Sequence, residues 1–244
     1  MKERKYKHPS VLEAVVELRV VPSSAWGISS FVEFAGLAKD RGYPILKDAA
    51  PGFQISLPVS GGKPQVLASA ANRVQTWNES GNQLWQAGPQ LFAANRRAPY
   101  EGWEKFRPHV AEGLELFLKL AKPEKVEALV MQYVNRIALD NENQDPSEFL
   151  VFAPPTISYA EKVTNFICRA EQSYNDQDSI AVTSTRDQST PGSTGIILDI
   201  IYTSRQPSLE SSQLMSLIDS AHLRVTEAYE KSITESLRKR MEPV

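Results

Sequence analysis

Apolar and polar positions alternate most clearly at the start of the chain. Residues 11–21 read VLEAVVELRVV, with Leu12, Ala14, Val16, Leu18 and Val20 on one face and Glu13, Glu17 and Arg19 on the other. A period of two predicts a strand buried on one side. Beyond Pro22 the period changes. Trp26, Ile28, Phe31, Phe34, Ala35 and Ala38 recur at helical spacing, with Ser23-Ser24 as an N-cap and Gly42 as a stop. Three β-type segments follow near 53–59, 73–77 and 83–87, punctuated by Gly61-Gly62 and by residues 78–81, and the last two segments read as a hairpin.

Residues 103–120 place Phe106, Val110, Leu114, Phe117 and Leu118 at steps of three and four, which predicts a second helix. Pro108 then belongs in its first turn or marks its true start, because a proline deeper inside costs about 3 kcal/mol. Residues 125–139 read as a strand on their β-branched and aromatic tail, with a helical reading of their first half left open. Residues 140–158 form a polar, proline-interrupted connection in which Asp145-Pro146 starts one helical turn. Three more strands are expected near 164–174, 179–186 and 195–204, with turns at 175–178 and 189–193. Residues 209–240 then read as one long helix, striped by Leu214, Leu217, Ile218, Ala221, Val225, Ala228, Tyr229, Ile233 and Leu237.

This order predicts an α+β fold: a largely antiparallel sheet with long helices packed on one face. The words VLEAVVELRV (11–20) and KVEALVMQYV (125–134) echo each other. If the echo reflects duplication, the chain is two related β-α-βββ-α-like halves, 1–122 and 123–244, able to share one compact domain. Chance remains an equal explanation of one matching strand.

Composition narrows the class. The chain has 244 residues, 41% hydrophobic and 23% charged, and a formal charge of −2, which excludes disorder as the main state and gives no global attraction to nucleic acid. No apolar run approaches the roughly 20 residues of a membrane span. No signal-like apolar region follows the charged start, so a cytoplasmic location is expected. The single Cys168 excludes an internal disulfide and a Cys-ligated zinc site.

Catalytic motifs for phosphate cradling, zinc proteolysis and a hydrolase elbow are missing from the sequence. His8, His109 and His222 have no second histidine at i+3 or i+4 and read as structural. Glu13 and Glu17 share a strand face and could hold a cation or share a proton, but pairing with Arg19 or Arg136 is the favoured reading. The segment 96–107 interleaves bases and aromatics. Arg96, Arg97 and Arg107 could touch phosphate while Tyr100 or Trp103 stacks a base, against a favoured reading of Tyr100 and Trp103 as a buried plug before the helix. Arg238-Lys239-Arg240 complements a helix C-terminus. The final helix covers its own sheet, and its overhang offers a surface to a partner or a second copy.

Three stretches carry a resemblance: PSVLEAVVELR from Pro9 to Arg19, YEGWEKF from Tyr100 to Phe106, and YVNRI from Tyr133 to Ile137. Together they resemble a sporadically distributed, uncharacterised prokaryotic family of roughly 250-residue proteins opening with a P-x-x-E-A-x-x-E-x-R strand. The resemblance runs the full length and includes His222, an aromatic residue and Ile233-Thr234 in the closing helix. Two places depart from its pattern: His8-Pro9-Ser10 stands where Pro-Pro is usual, and Tyr229 stands where Phe is expected.

The resemblance implies a single module and no activity to carry over. Patchy distribution associates such families with defence and toxin–antitoxin-like loci. The expected function is therefore a non-enzymatic binding component acting through a protein partner, with no cofactor, no catalytic residue and no metal ligand. A homodimer through the final helix is also open. The alternative is a nucleic-acid binder or an enzyme using the 96–107 segment and polar strand faces. The binding candidates are Arg97, Tyr100, Trp103, Arg107, Tyr133, Asn135, Arg136 and His222.

Overall fold

The computed structural model describes residues 4–23, 26–48, 53–56, 65–68, 73–154, 165–187, 194–205 and 211–244. Its first strand, β1 (Val11–Val21), buries Ala14, Val16, Leu18 and Val20 as the alternation predicts. β2 (Ile45–Asp48), β5 (Val74–Trp77), β6 (Gln83–Gly88), β7 (Leu91–Arg97), β8 (Lys125–Ala138), β9 (Ile167–Ser173), β10 (Asp178–Arg186) and β11 (Gly195–Ser204) join it. They form a nine-stranded antiparallel sheet in the order β2-β5-β6-β7-β1-β8-β11-β10-β9. β3 (Phe53–Ser56) and β4 (Gln65–Ala68) pair with each other as a separate hairpin. The fold is thus α+β, with α1 (Ile28–Lys39), α2 (Trp103–Ala121), α3 (Ser211–Ser232) and a short α4 (Glu235–Arg240).

The seam at the middle of the sheet joins β1 to β8, with Ala14 opposite Tyr133 and Val16 opposite Met131. On either side of it a meander returns its last strand to the seam, β7 against β1 and β11 against β8, and a helix follows each. α2 packs on β7, and α3 packs on β11 and β8. The core lies between sheet and helices, with Phe92, Phe106, Phe117, Leu129, Met131 and Leu198 fully buried. The opposite face carries Glu13, Val15, Glu17 and Arg19 beside Val134, Gln132, Val130 and Ala128. There Glu13 accepts a hydrogen bond from Asn95 and Glu17 pairs with Arg19 at 2.7 Å, so these two carboxylates are engaged separately.

Several expectations are corrected. α1 is capped by Gly27, not by Ser23-Ser24; the Ser23 hydroxyl instead donates to the carbonyl of Ala121 at 2.7 Å and ties down the end of α2. Pro108 lies inside α2, beyond its first turn. It is exposed, which leaves the carbonyl it deprives of a partner open to water. The long last helix is broken. Val151 N–H donates to Ser232 and Thr234 N–H donates to Phe149, so the 149–151 segment takes over the backbone groups at the break, and the Thr234 side chain caps α4. β7 has no counterpart among the expected strands because residues 92–96 are buried on both faces and show no alternation. Ser24, Gly61-Gly62 and the turn at 189–193 lie outside the described residues. No described helix is long and apolar enough to cross a membrane.

His109 in α2 is a core residue. It is stacked on Trp85 at 5.3 Å, and its Nδ1 lies 2.7 Å from the Tyr43 hydroxyl. Burial pulls its pKa from 6.5 down to about 4. The unfolded chain therefore binds the extra proton at a higher pH than the fold does, and the stabilisation present above pH 6.5 is lost as pH falls toward 4. The loss attributable to this one group is ~3 kcal/mol. Thermal melts between these pH values should fall more steeply for the wild type than for His109→Gln; parallel curves would refute the assignment.

Candidate functional site

The left-handed backbone of Gly102, at φ +95°, turns the chain into α2 without a side-chain cap and sets Trp103 against α3. There the indole stacks on the His222 imidazole, with centroids 4.4 Å apart and planes within 10°. Arg107, one turn further, holds both Asp219 oxygens at 2.7 and 2.9 Å, and Trp103 Nε1 donates to the same carboxylate at 3.3 Å. The hydrogen bond from Arg107 keeps the Asp219 carboxyl below the usual carboxylate range. Asp219 and His222 are three residues apart on α3 and so share a helix face. The two long helices are clamped together at this end of the sheet.

β8 supplies the floor. Alternation points Tyr133 and Asn135 toward the helices and Arg136 away from them. The Tyr133 hydroxyl shares hydrogen bonds with the Tyr100 hydroxyl at 2.8 Å and with His222 Nδ1 at 3.1 Å. Asn135 donates to the carbonyls of Tyr133 and Leu198 and accepts from Ser10 Oγ at 3.1 Å. Ser10 Oγ in turn lies 2.7 Å from the Tyr229 hydroxyl, whose pKa burial pushes up.

These groups border a cavity of about 400 Å³ between the starting arm of the chain, the beginning of α2, β8 and α3. Its outer wall is a small antiparallel ribbon. Lys7 and His8 N–H donate to Glu242 and Met241, and Val244 N–H donates to Lys5. Tyr6 on this ribbon donates to Glu230 at 2.7 Å, and burial next to that carboxylate pushes the phenol up to about 12. Ion pairs Lys5–Glu104 and Lys7–Glu242 close the charges of the rim. With aromatic and aliphatic walls and a few fixed hydroxyl, amide and imidazole groups, the space suits one or two side chains of a bound segment.

Five of the eight sequence candidates, Tyr100, Trp103, Tyr133, Asn135 and His222, meet at this cavity. Arg107 stands beside it, engaged with Asp219. Arg97 and Arg136 do not join it. Arg97 lies over the Trp77 ring on the other face of the sheet, and Arg136 pairs with Asp187 at 2.6 Å. Arg96 is buried and bonded to Glu101. The bases of the 96–107 segment are thus dispersed over both faces, with Arg96 and Arg107 each held by a carboxylate, unlike a continuous phosphate-binding track. Sequence reasoning missed Ser10, Tyr229 and Tyr6 as site residues. Ser10 lies in the stretch from Pro9 to Arg19 and Tyr229 on the apolar stripe of the last long helix, which were their available signals. Tyr6 gave none, standing in a charged arm.

No family model, curated protein or solved structure matches this chain. The site therefore rests on its own geometry.

Proposed function

We propose that this chain is a non-enzymatic binding component of a prokaryotic defence or toxin–antitoxin-like locus, and that it holds a segment of a protein partner in the cavity between α2 and α3. The observation that supports this reading is the convergence there of Pro9-Ser10, Tyr100 to Trp103, Tyr133 with Asn135, and His222, which are far apart in sequence. The cavity's polar groups bond to one another, Tyr100–Tyr133–His222 and Asn135–Ser10–Tyr229. Such a network holds a shape fixed, which favours binding by complementarity. The locus assignment draws on the family resemblance.

Thr226 borders the cavity on α3 and is half-buried, so Thr226→Trp should fill the space without unfolding the core. Co-expression with the products of adjacent genes should yield a retained partner for the wild type. The variant, at an unchanged melting temperature, should retain at least about tenfold less, a change of roughly 1.4 kcal/mol. A partner retained equally by both would move binding away from the cavity. Catalytic turnover lost on filling it would overturn the non-enzymatic reading.

A further inference from the structure

β9 closes one edge of the sheet, and among the described residues no strand pairs with its outer side. It is seven residues long and mostly exposed, with Ile167 at 70%. The direction of its backbone groups follows from the hydrogen bonds that bracket its neighbours. Tyr174 N–H donates to Asp178, while Asp187 N–H donates to Gly195 and Arg205 N–H donates to Gln177. In the β9–β10 register, Gln172 faces Ile180, Ala170 faces Val182 and Cys168 faces Ser184. The alternation of an antiparallel ladder makes these the bonded pairs. Ile167, Arg169, Glu171 and Ser173 consequently aim their N–H and C=O groups outward.

Arg169 and Glu171 flank Ala170 symmetrically, and their side chains share one face of the sheet, 3.6 Å apart within the strand. A second β9 laid antiparallel about a twofold axis at Ala170 would set Arg169 of each copy opposite Glu171 of the other, and Ile167 opposite Ser173. All the outward backbone groups would then be paired by about eight hydrogen bonds. Moving the axis to Arg169 or to Glu171 keeps the backbone parity but opposes like charges, which is destabilising. The edge is thus complementary to itself in one register.

We infer that β9 is a homodimerisation edge, joining two copies of this chain into one continuous antiparallel sheet with Arg169 and Glu171 forming reciprocal cross-strand pairs. The contact is independent of the cavity and of its partner. It also differs from a dimer through the final helix, whose stripe of Leu214, Ile218, Ala221 and Val225 is buried. An edge seam of this length buries little area, so the dimer is concentration-dependent.

Light scattering on the full chain from ~5 to ~200 μM should show a monomer–dimer equilibrium. Arg169→Glu and Glu171→Arg should each weaken it at least about tenfold, and the double reversal Arg169→Glu/Glu171→Arg should restore it. Circular dichroism confirms that each variant is folded. As a second readout, Cys168→Ser/Ala170→Cys places two thiols across the axis in a non-bonded pair, with Cα atoms about 4.5 Å apart, and should oxidise to a disulfide dimer. A wild type that stays monomeric and a thiol variant that does not cross-link would overturn the inference. So would a dimer indifferent to both single reversals.

Discussion

Gly113→Ala should destabilise the protein by about 2 kcal/mol and lower its melting temperature by roughly 4–8 °C, although alanine is normally the better helix former. A Cβ on Gly113 would lie 2.4 Å from Trp85 Nε1 and 2.6 Å from Cδ1 and Cε2. Trp85 has little freedom to retreat. It is fully buried, packs against Tyr43 at 4.0 Å and His109 at 5.3 Å, and donates to the His109 carbonyl at 3.0 Å. Replacing glycine by alanine in a helix gains up to about 1 kcal/mol, while forcing an extra carbon into a filled core costs about 1–3 kcal/mol. A contact this short puts the cost at the upper end, so the clash wins. In a Trp85→Phe background, which removes the indole nitrogen, Gly113→Ala should become neutral or stabilising. Chemical denaturation of the four chains of this cycle measures the coupling; simple additivity would contradict the packing described.

Arg136→Met should cost about 3 kcal/mol. Arg136 Nε donates to Asp187 at 2.6 Å, and the Asp187 side chain is only 1% exposed. Removing the cation takes a charge partner from a carboxylate in the interior, which costs about 3–5 kcal/mol for a fully buried pair. Arg136 itself is 35% exposed, which places the effect at the lower end. Replacing both partners, as in Arg136→Met/Asp187→Leu, removes the buried charge as well and should recover most of the loss. If the double variant were less stable than the single by the full cost of a second core mutation, Asp187 would be held by other groups. Either way, Arg136 acts on the face of the sheet opposite the cavity.

The structure agrees with the sequence pattern along the elements whose one face is fully buried and whose other face meets water, whereas the short, largely exposed β2 was not expected. β1, β8 and β11 alternate because only one side of each is fully buried, and α2 shows its apolar stripe for the same reason. β7 was invisible because Phe92, Ala93, Ala94 and Asn95 are buried on both faces, leaving no period to read. The break between α3 and α4 was invisible for a different reason. Residues 149–151, more than 80 positions earlier, bond the backbone at Ser232 and Thr234, and periodicity carries no information about such a partner.

The candidate site was legible in part because aromatic and polar residues at strand and helix starts stand out. Which of them meet was decided by alternation along β8, which sends Asn135 to the cavity and Arg136 to the other side. Ser10 and Tyr229 are hydrogen-bonded to each other at 2.7 Å, and neither stood out in the sequence because their pairing joins the arm ahead of β1 to α3, positions more than 200 residues apart.

The measurement that bears most directly on the cavity as a binding site is hydrogen–deuterium exchange on the free chain and on its complex with a co-purified partner. Binding there should add protection at residues 4–10, 100–106 and 222–230, the segments that wall the cavity, while exchange in β9 and on the outer sheet face stays unchanged. Protection confined to the outer face, with the cavity walls exchanging as in the free chain, would contradict the account.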